Sequence, residues 1–311
     1  MTYPWLQDVE SEFSERLQAG RLAHALLLSG PAESGKVELA TRLLASALCL
    51  ENSYPACGQC RSCQLAASGA HPDGHVLTFE QHPKKAGELR KELVIDQVRR
   101  LTASLFLTNT ISRRKAALVY PVEAMNKHTA NALLKTLEEP PGETALILVS
   151  SDPARLPATI RSRCQSLHVR LPGAEAAMAW LQGQSDVAAA DAEKALQAAA
   201  GSPLRALRML QDGGVDQYVE LSRMLDGLLS GSNSVAQALA ALSAVDPERL
   251  WSWLSLRAAA ETRSATVRGA TAMNVSRLQQ EADRNRGLAR TPVRKDLLLQ
   301  DWLIQWARLN E

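Results

Sequence analysis

Residues 26–48 read LLLSGPAESGKVELATRLLASAL. The apolar run Leu26-Leu27-Leu28 predicts a buried strand that breaks at Gly30, and beyond Gly35-Lys36 the apolar residues recur at helical period. Strand, loop and helix in that order are the setting of a phosphate-binding loop. Glycines there let backbone N–H groups curl around a phosphate. The helix N-terminus adds partial positive charge, and a lysine at the position of Lys36 reaches the outer phosphates. The spacing Gly, four residues, Gly, Lys is met by Gly30, Gly35 and Lys36. The next position calls for Ser or Thr, whose hydroxyl coordinates Mg²⁺, and Val37 stands there instead.

Hydrolysis also needs a carboxylate at the end of a neighbouring strand to hold the metal. Most enzymes of this class place a Glu beside it to polarise the attacking water. The candidate strand Ala116-Ala117-Leu118-Val119 ends in Tyr120-Pro121 rather than Asp-Glu, and Glu123 points elsewhere if the strand continues. Val37, Tyr120 and Pro121 together remove the metal-holding groups and the base, so no hydrolysis is expected in this chain. Two readings of the loop stay open. Gly30, Gly35 and Lys36 hold nucleotide without the metal, or the loop is a folded relic with no ligand.

Elsewhere the periodicity predicts an N-terminal helix over 1–22, carrying Trp5, Leu6, Val9, Phe13 and Leu17, and a helix over 36–50. Strands are expected at 75–79, 115–122, 144–151 and 166–171, with helices at 95–107 and 126–139, the latter stopped by Pro140-Pro141. Strands alternating with helices imply a mostly parallel sheet covered on both faces. After Leu171 the strand patterns cease: 174–210 predicts two or three short helices, Gly213-Gly214 a linker, and 215–311 about five longer helices. Trp251, Trp253, Trp302 and Trp306 fall inside apolar stripes and are read as core. The expected organisation is an α/β domain over 1–170, a small helical domain over 171–212 and an all-α domain over 213–311.

Four of the five cysteines, Cys49, Cys57, Cys60 and Cys63, fall within fifteen residues at the spacing C-x7-C-x2-C-x2-C. In a cytosolic chain this favours Zn²⁺ over disulfides. Four thiolates close a tetrahedral site and leave no position for a catalytic water, so the expected zinc is structural.

The 35 basic and 33 acidic residues leave a net charge of +2, which argues against a protein whose main affinity comes from wrapping nucleic acid. The opening MTYPWLQDVESEF lacks the basic-then-apolar pattern of a signal peptide, and no run of about 18 apolar residues appears. A soluble, cytoplasmic protein is expected.

Residues 129–164 read TANALLKTLEEPPGETALILVSSDPARLPATIRSRC. With Asn131 to Pro141, Ser162-Arg163-Cys164, the cysteine insertion and His71-Pro72-Asp73, the chain resembles bacterial clamp-loader subunits of the AAA+ superfamily. The resemblance covers the whole chain and weakens over the helical C-terminus, where RKDLLLQDWLIQWARL still looks like the family's last helix. It implies a P-loop AAA+ domain with a parallel sheet, a small helical lid domain and an all-α C-terminal collar. The family's motor subunits, gamma and tau, carry a complete P-loop and an Asp-Glu strand end. This chain departs from them at Val37, Tyr120 and Pro121, and resembles the branch that has lost catalytic groups while keeping Ser162-Arg163-Cys164.

What the resemblance implies is a subunit of the replicative DNA polymerase III holoenzyme, in a hetero-pentamer with gamma/tau and delta subunits, that helps load the sliding clamp on primed DNA. It would have neither polymerase nor ATPase activity of its own. Arg163 takes the role of an arginine finger acting in trans, with Arg161 in support. A guanidinium there stabilises the charge that develops during phosphoryl transfer on a neighbour's ATP. Ser150 or Ser151 matches the polar sensor position and Arg205 the second sensor, while Cys164 is read as a packing residue. The main alternative is a divergent motor subunit that hydrolyses ATP itself. A zinc-dependent DNA-binding module has thin support, since only Arg61 lies among the cysteines as a basic residue.

Overall fold

The apolar run at Leu26 becomes the interior of a five-stranded sheet in the computed structural model, which describes residues 3–83, 87–184, 187–263, 270–289 and 293–310. The strands are β1 (Ala25–Ser29), β2 (Gly74–Leu77), β3 (Lys115–Val119), β4 (Thr144–Ser150) and β5 (Gln165–His168). Their order is β2-β3-β4-β1-β5, and every neighbouring pair is parallel. β1, β3 and β4 are buried along their whole length, which is why they read as unbroken apolar runs rather than alternating ones.

Helices α1 (Gln7–Gln18), α2 (Lys36–Leu48), α3 (Arg61–Ala67), α4 (Ile95–Leu105), α5 (Lys127–Glu138) and α6 (Ala158–Arg161) complete this unit. Alternation along the strands splits the core. Leu27, Ala117, Val119, Leu146 and Leu148 pack in one cluster with Val98 and Leu101 of α4 and Leu133 and Leu137 of α5. The residues between them line the face on which α2 packs against β3 and β4.

β3 ends at Val119, three residues earlier than expected, because Pro121 has no N–H to give a ladder and a 3₁₀ turn, Val122–Ala124, follows. α5 starts where Asn126 accepts the Thr129 N–H at 3.0 Å and stops before Pro140, as the sequence predicts.

The described residues divide into two compact units, one up to Leu171 and the other from Pro172. The second contains α7 (Ala174–Gln184), α8 (Ala189–Ala198), α9 (Pro203–Gln211), α10 (Gly214–Leu229), α11 (Val235–Leu242), α12 (Pro247–Arg263), α13 (Ala270–Leu288) and α14 (Lys295–Ala307), with no strand among the described residues. Gly213-Gly214 is not a linker. Gly213 takes the left-handed conformation at φ 69°, Asp212 Oδ1 accepts the Gly214 N–H at 3.0 Å, and α10 begins at once. One apolar cluster runs from Leu181 and Ala195 through Leu225 to the tryptophans. Trp251, Trp253, Trp302 and Trp306 are all buried. Trp302 and Trp306 stack at 5.1 Å and donate to the carbonyls of Leu278 and Leu225 at 3.0 and 3.1 Å, so these buried indoles are satisfied core residues.

Candidate functional site

The loop between β1 and α2 is held by contacts from its own chain. Gly30 sits at φ 154°, and a Cβ there would lie 2.3 Å from the Val169 carbonyl oxygen, so close packing against the continuation of β5 requires this glycine. Gly35, left-handed at φ 83°, caps α2, and a Cβ on it would meet the Tyr3 ring at 2.5 Å. Tyr3 stacks on Trp5, and the Trp5 indole N–H donates to the Ser34 carbonyl at 2.9 Å. Lys36 is buried, with its ammonium donating to the Pro31 carbonyl at 2.5 Å and to Ser34 Oγ at 3.4 Å. Burial lowers its pKa to about 8, against the opposing pull of the Glu123 and Glu38 charges.

Beside the loop, β4 ends at Ser150, which pairs in register with Ser29 at the end of β1. Ser150 is fully buried and its Oγ accepts the Asp152 N–H at 3.1 Å, whereas Ser151 is exposed. Of the two sensor candidates, Ser150 therefore has its hydroxyl inside the strand end. Glu123 corrects an expectation. The early end of β3 turns it back, so that Oε1 accepts the Ser151 N–H at 2.9 Å, while Oε2 is buried with no hydrogen-bond partner among the described residues. The Glu123 charge raises the Lys36 pKa against the effect of burial. No Asp-Glu signal marked this carboxylate, because its placement depends on where the strand stops.

Arg163 lies at the other end of the sheet. It sits two residues before β5, whose first residue, Gln165, pairs with Leu26, whereas the phosphate loop follows the far end of β1 at Ser29. Three strand steps of about 3.3 Å, from Gln165 opposite Leu26 to His168 opposite Ser29, put roughly 10 Å of sheet between the start of β5 and the loop of its own chain. Its Nη2 pairs with Glu138 Oε1 at 2.6 Å and its Nη1 donates to the Thr159 carbonyl at 2.9 Å. Arg161 ends α6 and is exposed, while Cys164 packs against the apolar cluster under α5. Burial pushes the Cys164 thiol up to about 11, which suits a packing residue. Arg205 lies in the first turn of α9 in the second unit, its N–H donating to Ser202 Oγ at 3.4 Å.

The cysteines gather as their spacing predicts. Cys49 closes α2, Cys60 caps α3 and Cys63 lies in its first turn, and the four Sγ atoms with Cys57 are all within 4.8 Å of one another. The edge of a tetrahedron with Zn–S bonds of 2.3 Å is about 3.8 Å, and Cys57 Sγ and Cys63 Sγ are 3.8 Å apart. The Cys60 and Cys63 N–H groups point at Cys57 Sγ and Cys60 Sγ, both at 3.4 Å, which favours thiolates. Burial opposes ionisation of Cys49, but hydrogen bonds from residues 51, 53 and 57 outweigh it and hold that thiol at about 6. Burial, joined by the three neighbouring sulfurs, pushes Cys63 up to about 12. A divalent cation would relieve that crowding of charge. The donor set fits a tetrahedral metal.

A polar cluster ties this module to the sheet. The hydroxyls of Ser62 and Ser112 donate to the Leu48 carbonyl at 2.6 and 2.7 Å, and His71 Nε2 lies 2.7 Å from Ser62 Oγ. His71 Nδ1 accepts the Asp73 N–H at 3.0 Å, so the ring proton belongs on Nε2. Asp73 accepts N–H groups from Thr110, Ile111 and Ser112 and pairs with Lys115. The sequence carried His71-Pro72-Asp73 only as a family match, and this anchoring role comes from the structure.

The family profile described as DNA polymerase III, delta subunit, matches residues 5–172. DNA polymerase III subunit delta' of Pseudomonas aeruginosa is 40% identical over 253 residues, covering 81% of this chain and 74% of that relative. Subunit delta' of Escherichia coli is 36% identical over 210 residues, covering 67% of this chain and 61% of the relative. Subunit tau of Escherichia coli is 34% identical over 166 residues, covering 53% of this chain and 24% of the relative.

Proposed function

The chain belongs to the DNA polymerase III delta-prime subunit family, and from that premise we propose that it is a catalytically degenerate clamp-loader subunit. Its first unit, an α/β domain on a parallel five-stranded sheet, is the proposed AAA+ domain. In the proposed assembly it joins gamma/tau and delta subunits in a cytoplasmic hetero-pentamer that places the sliding clamp on primed DNA. Residues 171–212 serve as the lid and 213–311 as the collar.

One observation carries the proposal. Arg163 and the phosphate loop occupy opposite ends of the parallel sheet. That placement away from its own chain's loop supports a role for Arg163 at the nucleotide of a partner subunit. A guanidinium supplied in trans stabilises developing charge on a transferring phosphoryl group and is worth roughly 10³ to 10⁵ in rate in GTPases. The loop itself is proposed to anchor the fold: Val37 offers no hydroxyl for Mg²⁺, and Lys36 is already bonded to Pro31 and Ser34. Any nucleotide held by Gly30, Gly35 and Lys36 must displace those bonds, and Arg205 acts as a second sensor only in that state. The four cysteines hold a structural Zn²⁺, which supplies cross-linking of the insertion and no chemistry.

Incubating the purified chain with Mg²⁺-ATP tests the absence of catalysis in cis. No steady turnover is expected. Turnover abolished by Lys36→Ala would instead identify a divergent motor subunit.

A further inference from the structure

Glu138 and Glu139 stand at the C-terminal end of α5, where the helix dipole already places negative charge. Acidic side chains there are locally unfavourable, so helix stability gives no reason for them. What Glu138 contacts is Arg163, Oε1 to Nη2 at 2.6 Å, while Nη1 of the same guanidinium donates to the Thr159 carbonyl at 2.9 Å. The two supports come from different elements. α5 is pinned to the sheet by Leu133 and Leu137, and α6 by Ile160, all essentially without exposure. The pair itself stays partly open, with side-chain exposures of 35% for Arg163 and 48% for Glu138.

We propose that Glu138 is the positioning residue for Arg163, fixing one edge of the guanidinium on α5 so that the arginine meets a neighbour's phosphate already oriented. The proposal rests on the trans role of Arg163 given above. An arginine side chain free in solvent samples many rotamers, and immobilising it during the reaction costs entropy. A fork held by a carboxylate and a carbonyl has already lost that freedom, and catalytic groups gain rate from such preorganisation. An exposed ion pair adds little to stability, so the consequence of losing it falls on turnover.

The test uses the full chain in an assembly reconstituted with its motor subunits, clamp and primed DNA, with steady-state ATP turnover as the readout. Arg163→Ala lowers kcat. Glu138→Ala lowers kcat about fivefold with KM unchanged, the scale expected for one exposed pair. Glu138→Gln keeps an oxygen acceptor and restores most of the rate. The double variant Arg163→Ala with Glu138→Ala is no slower than Arg163→Ala alone, because Glu138 acts only through the arginine. A purely structural role would leave kcat unmoved or make the two losses multiply. If Arg163→Ala lowers kcat while Glu138→Ala leaves or raises it, the positioning proposal fails alone. If Arg163→Ala itself changes nothing, the trans reading beneath it fails.

Discussion

Asp73 and Lys115 form a buried ion pair, Oδ1 to Nζ at 3.3 Å, with side-chain exposures of 0% and 4%. The carboxylate is not left to the lysine alone: it also receives the N–H groups of Thr110, Ile111 and Ser112 at 2.7–2.9 Å. A buried charge with this many donors fixes the approach to β3 and, through His71 and Ser62, the cysteine module.

Breaking such a pair from one side strands the other charge, which typically costs about 3–5 kcal/mol. Asp73→Ala is expected to destabilise the chain on that scale in urea unfolding, and Asp73→Asn by less, since its amide oxygen still accepts. Burial works against ionisation of Asp73, but the three N–H groups and Lys115 overcome it and hold the pKa at about 2. A folded-state pKa below the unfolded value gives stability that is present above about pH 4 and is lost as pH falls through 2. The stability difference between the wild type and Asp73→Asn should therefore shrink over that window. A difference independent of pH between 5 and 2 would contradict the assignment.

Lys36 contributes with the same sign in a higher pH window. Burial lowers its pKa to about 8 from the ordinary 10.5, so folding disfavours the charged form and stability rises as pH climbs between those values. Glu123 holds the pKa up, and Glu123→Gln is expected to drop it further. NMR titration of the Lys36 side chain reads this directly. An unchanged midpoint would mean that Glu123 does not act on the loop.

Gly30→Ala tests why the loop keeps its first glycine. With a Cβ 2.3 Å from the Val169 carbonyl oxygen, backbone must move, and a loss of about 3 kcal/mol or more is expected in denaturant unfolding. If the glycine served only phosphate contact, the variant would be as stable as the wild type.

Metal analysis of the purified protein is expected to return one zinc per chain, and Cys60→Ser or Cys57→Ser to lose it. Chelation should lower the thermal midpoint, since metal bound only by the folded state stabilises it. Four freely titratable thiols in metal-free protein of unchanged midpoint would refute the site.

Much of this was legible in the residues. Leu26 to Lys36 announced the central strand and loop because a buried parallel strand must be apolar throughout and a phosphate loop must have its glycines. The cysteine spacing announced its cluster for the same kind of reason, since ligands on one short loop have few other ways to meet. What escaped depended on backbone path. The residue pattern carries β3 on to Val122 and so points Glu123 away, whereas the stop at Val119 reverses its direction. Gly213-Gly214 predicts a linker only because a glycine pair signals a break in the helix without saying how tight the turn is. The pairing of Glu138 with Arg163 joins residues 25 positions apart through tertiary packing, which no local pattern encodes.

The most direct test of the account is the ATP turnover and clamp loading of the reconstituted assembly with Arg163→Ala in this subunit. Assembly composition should be unchanged on gel filtration, because the Arg163–Glu138 pair is partly exposed and contributes little to folding. Loading should fall roughly tenfold or more, given what a finger in trans supplies to phosphoryl transfer. An intact assembly that loads clamps and turns over ATP at the wild-type rate would contradict the claim that Arg163 acts on a neighbour's nucleotide.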